Sequence, residues 1–139
     1  MKVFVYFIGK PRDEYANAIA AEFIKRASRY AKAEMREIDP ARTDFWQRHA
    51  ASHKVLLDPA GRPLASAGFV DLIRRLEDEG RDAAFVIGGH DGFAAEWKGR
   101  ADQLLSLSAM TFPHELARAL LCEQIYRAFA TLRGHPYPR

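Results

Sequence analysis

Two short runs constrain this chain more than anything else in it. Residues 3–8 (VFVYFI) and 83–87 (AAFVI) are apolar without a break. A strand with one face in water alternates apolar and polar residues; a strand buried on both faces does not. Burial on both faces calls for helices above and below a parallel sheet, joined by crossovers. The intervening segments supply such helices. After Gly9 and Pro11, apolar residues recur at Ala16, Ile19, Ala20, Phe23, Ile24, Ala27 and Tyr30, which is helical spacing. Asp13 stands where it can cap that helix, and Lys25, Arg26, Arg29 and Lys32 line its solvent side.

The same reading continues down the chain. A second strand is expected at 35–39 and a short helix with a loop at 40–51. A third strand at 55–57 is closed by the turn signal DPAGRP at 58–63. Ser66 is placed to cap a helix with apolar positions Phe69, Val70, Ile73 and Leu76, and Gly80 to end it. The fourth strand, 83–87, runs into Gly88-Gly89-His90-Asp91-Gly92. A short helix at 94–98 and a fifth strand at 104–108 follow. Pro113 then opens a long last helix, which Gly134 stops. Strand–helix alternation throughout implies an α/β fold, one domain over residues 1–139, with a mostly parallel sheet flanked by helices.

Composition narrows the function classes. A chain of 139 residues supports one real core. No apolar run approaches a membrane span, no secretory signal is visible, and a cytoplasmic protein is expected. The lone Cys122 excludes an internal disulfide and a cysteine-based zinc site. Lys plus Arg is 21 against 18 Asp plus Glu, so the net charge of +3 permits an anionic partner without requiring one.

In open parallel sheets, ligands bind outside the carboxyl ends of the strands. Three such ends have unusual sequence: Leu57-Asp58 with its turn, the glycine loop 88–92, and residues 107–112. The glycine loop is neither of the two common phosphate-binding patterns, and no lysine stands ready for phosphate. It suits adenine or ribose held by backbone groups, or simply a tight strand-to-helix turn. The last helix is apolar on two sides. Ala117, Leu121, Ile125, Ala128, Phe129 and Leu132 form one face; Leu116 and Leu120, followed by Glu123 and Arg127, form the other. Such a helix needs two surfaces to bury against; the sheet can be one, and a partner subunit is a candidate for the other. Glu123 and Arg127 are spaced i,i+4, as a surface ion pair or as a pair at a dimer seam. The tail packs His135, Tyr137 and Arg139 between prolines, either as a frayed end or as an RNA contact. His49 and His53 share helical spacing but lack a third metal ligand. Cys122 reads as a buried inert thiol, His114 as a solvated first-turn residue, and Trp46 and Trp97 as core fillers.

Taken together, FVIGGHDGF at 85–93, LSLSAMTFPHELAR at 105–118, EQIYRAF at 123–129 and RGHPY at 133–137 resemble the ribosomal large-subunit methyltransferase H family, of the SPOUT class. The resemblance covers nearly the whole chain. It implies a C-terminal deep trefoil knot, which the apolar pattern does not predict and general rules of chain threading disfavour. It implies methylation of N3 of a pseudouridine in 23S ribosomal RNA of the assembled 70S ribosome, with S-adenosylmethionine as donor, no metal and no membrane. It also implies a homodimer whose active sites borrow residues across subunits. Position by position, Leu57, Gly88, Leu107, Ser108, Ala109, Met110, Thr111 and Phe112 would cradle the cofactor. Glu123, Arg127, His135, Tyr137 and Arg139 would face the RNA or the reacting base, with Glu123 or His135 as proton acceptor. Two departures stand out: Pro138 replaces a histidine common in the family, and the region 40–54 is shorter and carries fewer basic residues. A non-catalytic ribosome- or RNA-binding module of the same fold is the alternative. A flavodoxin-like protein fits poorly, because Pro11 removes a backbone donor from the first loop.

Overall fold

The structure is a computed structural model and describes residues 1–137. Five parallel strands form one sheet: β1 (Lys2–Ile8), β2 (Lys32–Ile38), β3 (His53–Pro63), β4 (Ala83–Ile87) and β5 (Gln103–Ser106), in the order β2-β1-β4-β3-β5. Five helices connect and follow them: α1 (Glu14–Ala27), α2 (Phe45–Arg48), α3 (Ser66–Asp78), α4 (Ala95–Arg100) and α5 (His114–Leu132).

The unbroken apolar runs are explained by two cores, one on each side of the sheet. Val3, Val5 and Phe7 of β1 join Phe85 and Ile87 of β4 beneath α1, α3 and α5. The alternate residues Tyr6, Ala84 and Val86 join Leu56, Phe45 and Trp97 beneath α2 and α4. On that second side Phe45, Trp46 and Trp97 stack edge-on or face-on with centroids 4.8–5.6 Å apart, and Arg100 lies 4.5 Å over the Trp46 ring. The tryptophans are core fillers, as expected.

Several local expectations need correction. Strand β2 spans 32–38 rather than 35–39; it is the sheet edge and half exposed, so it lacks an apolar run. Ser66 does not cap α3. It is the first helical residue, and its hydroxyl donates to Gln124 Oε1 at 2.8 Å instead. Ile19 is 47% exposed although it fits the helical period. The stretch 58–63 is not a turn that ends β3. The strand loops out after Leu57 and returns, so that Leu57 and Arg62 both pair with Leu105. At the return, a Cβ on Gly61 would lie 2.6–2.8 Å from backbone atoms of Leu104 and Leu105. Only glycine lets the two chains pass that closely. The cap at Asp13 is as expected: its Oδ1 accepts from the N–H groups of Tyr15 and Ala16 at 3.0 Å.

No sequence signal announced Arg118. Its side chain is fully buried, with the guanidinium 3.6 Å over the Phe7 ring. Nη1 donates to Asn17 Oδ1, while Nε and Nη2 have no partner among the described residues. Nearby, Glu115 accepts from the backbone N–H groups of Arg12 and Asp13 at 2.6 and 3.0 Å. The first turn of α5 is thereby fastened to the loop that precedes α1.

Candidate active site

The three strand ends singled out in the sequence converge on one cavity of about 310 Å³. That volume is at the small end of ordinary small-molecule sites. Leu57, Gly88, Leu107, Ser108, Met110, Thr111 and Phe112 all line it. Ala109 belongs to the same loop but is not part of the wall. Asp58 and His90, which lie in the strand ends already singled out, also line the cavity, as do Pro113, His114 and Ala117, which sequence reasoning did not place there. His114, expected as a solvated first-turn residue, is half-buried and lines the cavity at the start of α5. The usable signal was position: each of these residues sits within one helical turn of a strand-end loop.

Local chemistry explains the cradle's shape. The backbone N–H of Gly92 donates to Gly89 O at 3.1 Å, and Gly92 has φ +68°, so the glycine loop folds back tightly on itself. A Cβ on Gly88 would come within 3.2 Å of the Phe93 ring, and one on Gly89 within 3.3 Å of Ile8 O. On the facing side, Ser106 Oγ donates to Ser108 O at 2.9 Å and the Met110 N–H donates to Ser108 Oγ at 3.0 Å. These bonds fix the 107–112 loop without a helix or strand. Asp58 accepts from Lys98 Nζ at 2.9 Å and from the Ala60 N–H at 2.8 Å. Those bonds, the lysine's first, hold its carboxyl below the usual carboxylate range.

A second cluster lies further along α5. Arg127 grips Glu123 with Nη2–Oε2 at 2.8 Å and Nε–Oε2 at 3.1 Å. The Tyr137 hydroxyl donates to Glu123 Oε2 at 2.5 Å, and the Arg127 guanidinium lies 5.6 Å over its ring. Burial, then the bond to Glu123, pushes the Tyr137 phenol up to about 12. Tyr137 also packs on Tyr126 and Phe23, with centroids 4.7 and 6.3 Å away. The tail is therefore docked as far as Tyr137, not frayed. The exposed His135 accepts the Tyr137 N–H on Nδ1 at 3.1 Å. Arg139 and Pro138 lie outside the described residues.

Within one chain the two clusters do not meet. Along α5 from His114 at the cavity, Glu123 is roughly 13 Å away and Arg127 roughly 20 Å. Between them α5 exposes Leu116 and Leu120, beside the exposed Met110 and Phe112 of the cradle loop.

The remaining candidates are used elsewhere. Both ring nitrogens of His49 are engaged, Nε2 with the Tyr6 hydroxyl at 2.7 Å and Nδ1 with Ser52 Oγ at 3.1 Å. His53 pairs with Gln103 Oε1 at 3.0 Å. Among the described residues no three His, Cys, Asp or Glu side chains are grouped to hold a metal. Burial pushes the Cys122 thiol up to about 12, which makes it inert as anticipated. No helix of the described residues is long and apolar enough to cross a membrane.

Comparison with known proteins agrees with this geometry. The chain matches the family described as "Predicted SPOUT methyltransferase" over residues 1–138. By fold it is similar to a probable methylase family protein from Haemophilus influenzae, with a TM-score of 0.65 at 10% identity, covering 99% of this chain and 70% of that one. It is also similar to the SpoU methyltransferase AviRb from Streptomyces viridochromogenes, solved in complex with AdoMet. There the TM-score is 0.53 at 14% identity, covering 94% of this chain and 61% of that one. The five-stranded parallel sheet flanked by helices is thus the fold of a SPOUT methyltransferase. In sequence the chain is 61% identical to the ribosomal RNA large subunit methyltransferase H of Solibacter usitatus, over the full length of both. It is 38% identical to that of Laribacter hongkongensis, over all of this chain and 99% of the relative. The chain belongs to the ribosomal RNA large subunit methyltransferase H family.

Proposed function

We propose that this protein transfers a methyl group from S-adenosylmethionine to N3 of a pseudouridine in 23S ribosomal RNA of the assembled 70S ribosome, acting as a homodimer. The observation that carries the reading is the convergence of Leu57, Gly88 and the 107–112 loop on one cavity, in a chain 61% identical to a ribosomal RNA large subunit methyltransferase H. The cavity suits the cofactor: apolar side chains of Leu57, Leu107, Met110 and Phe112 offer no nucleophile, and Gly88 lets the loop pack closely on Phe93 and Gly92 at the cavity wall. From the family the reading also takes the C-terminal trefoil knot.

S-adenosylmethionine supplies a methyl group activated on a sulfonium. The chain's own task is to bind, orient and exclude water, because in-line displacement needs alignment above all. Leu57, Gly88, Leu107, Ser108, Met110, Thr111 and Phe112 bind and orient, with the Ala109 backbone completing the loop. The acceptor N3 must lose an imide proton. Glu123 is committed to Arg127, Tyr137 and Gln124, so His135 takes the proton and Glu123 holds Arg127 in place. Arg127 then stabilises the charge that develops on the imide. Tyr137 ties the tail to Glu123, and a role for Arg139, which lies outside the described residues, is taken from the family alone. Since the cradle and the tail lie far apart along one α5, the cradle of one subunit works with the tail of its partner. The exposed Met110, Phe112, Leu116 and Leu120 favour such a contact.

Incubation with radiolabelled S-adenosylmethionine and ribosomes lacking the modification, beside free 23S RNA, tests this. The expected result is label in 23S RNA from ribosomes only, lost in Arg127→Ala with cofactor binding intact. Mixing Arg127→Ala with a cradle variant such as Gly88→Val should restore part of the activity if sites are shared between subunits. No label and no cofactor binding would leave the non-catalytic RNA-binding module instead.

A further inference from the structure

The ladder between β3 and β4 ends at the pair Leu57–Ile87, and both residues line the cavity. Beyond that pair the two walls leave the sheet. One becomes the 58–61 excursion; the other becomes the glycine loop and then α4. No β-ladder holds them together there. Among the described residues, what crosses the gap is an ion pair. Asp58, whose side chain is 8% exposed, accepts from Lys98 Nζ on α4 at 2.9 Å through Oδ2, while its Oδ1 accepts the Ala60 N–H at 2.8 Å. One carboxylate thus closes its own loop and grips α4, the helix that follows the glycine-loop wall.

We propose that Asp58 and Lys98 form a clasp that sets the width of the cofactor cradle, with Asp58 a positioning residue for methyl transfer. The inference rests on the reading that this cavity holds S-adenosylmethionine. A buried carboxylate is costly without a partner, so its placement at this gap needs an explanation beyond surface polarity. The carboxyl stays ionised across neutral pH, because the bonds from Lys98 and Ala60 favour its charged form. Besides Asp58, the titratable side chains that line the cavity are His90 and His114; Lys98 reaches Asp58 from α4, behind the glycine loop. Ligand binding and clasp closure favour the same arrangement of the walls, so each strengthens the other. The clasp acts on affinity, not on the reacting atoms.

Calorimetry on the full-length protein, with S-adenosylhomocysteine as probe, tests this in Asp58→Asn, Lys98→Met, their double variant and Lys98→Arg. Asparagine keeps an oxygen for Ala60 and loses only the clasp. Each single variant should bind about five-fold more weakly or worse, the lower end of ordinary coupling between sites. The double variant should be no weaker than the worse single, and Lys98→Arg should recover most of the loss. In transfer assays KM for the methyl donor should rise in parallel while kcat at saturation holds. Unchanged affinity in Asp58→Asn and Lys98→Met, losses that add in the double variant, or an arginine no better than methionine would each overturn the clasp. If Asp58→Asn unfolds, Lys98→Met and Lys98→Arg, changed at a half-exposed residue, still decide. Wild-type protein that fails to bind the probe would instead refute the cofactor reading.

Discussion

Replacing Gly61 by alanine adds one methyl group, and the structure fixes what it meets. The added Cβ would stand 2.6 Å from the Leu104 carbonyl carbon, 2.7 Å from its oxygen and 2.8 Å from the Leu105 nitrogen. These atoms are strand backbone and cannot rotate away. Either β5 shifts outward or β3 gives up its return pairing at Arg62 and Pro63. Overpacking of this kind costs about 1–3 kcal/mol, and a backbone obstacle belongs at the upper end, so about 2–3 kcal/mol is expected. In a domain this size that corresponds to a Tm lower by roughly 8–12 °C. Because Leu105, Ser106 and Leu107 line the cradle, ligand affinity should fall as well. Gly99 supplies the control: a Cβ there meets nothing within 4 Å, and its φ is not in the left-handed region. Gly99→Ala should therefore be neutral or stabilise α4 by up to about 1 kcal/mol. Urea unfolding at one fixed protein concentration, comparing midpoints at constant slope, measures both. A Gly61→Ala protein that unfolds at the wild-type midpoint, or two alanine variants that shift the same way, would refute the steric argument.

Three further outcomes follow from the side chains. Arg133 binds Glu77 at 2.5 and 3.0 Å and holds its carboxyl below the ordinary value. That stabilisation is present above the unfolded carboxyl's pKa and lost as pH falls through the folded one; Arg133→Met should remove this part of the acid limb, under about 1 kcal/mol because both groups are partly exposed. His49, buried between Tyr6 and Ser52, is lowered from 6.5 mainly by burial. Its contribution is present above 6.5 and fades as pH falls through the folded value, so urea midpoints of wild type should drop over that window more than those of His49→Leu. The Cys122 thiol, at about 12 when folded, should resist thiol reagents at pH 8 until the protein unfolds. Labelling faster than unfolding would contradict its burial.

The sheet was legible because β1 and β4 are buried on both faces, which leaves a direct mark in composition. Strand β2 was only partly legible because an edge strand has no such mark. The 58–63 stretch misled because Asp, Pro and Gly do promote turns locally, but here pairing with β5 overrides the local preference. Ser66 misled for a related reason: a hydroxyl able to cap its helix instead bonds across to Gln124 on α5. The cradle was legible as three strand ends, His90 among them, while His114 and Ala117 joined it from the first turn of α5. Arg118 gave no signal, since a periodic pattern of apolar residues has no place for a buried guanidinium.

The two-sided last helix links these observations. Leu121, Cys122, Ile125, Tyr126, Ala128 and Phe129 bury α5 against its own chain, leaving Leu116 and Leu120 outward. A monomer gains nothing from exposing these two beside Met110 and Phe112. The tail packs against α1 and α5, where Tyr137 meets Phe23 and Tyr126, and Tyr137 is not among the residues that line the cavity. A protein that used its own tail on its own cofactor would instead need that tail to turn back toward His114. The homodimer proposed above would place a second copy against this outward face of α5. Complementation between Arg127→Ala and a cradle variant separates this arrangement from a self-sufficient monomer: a self-sufficient subunit gains no activity from the mixture.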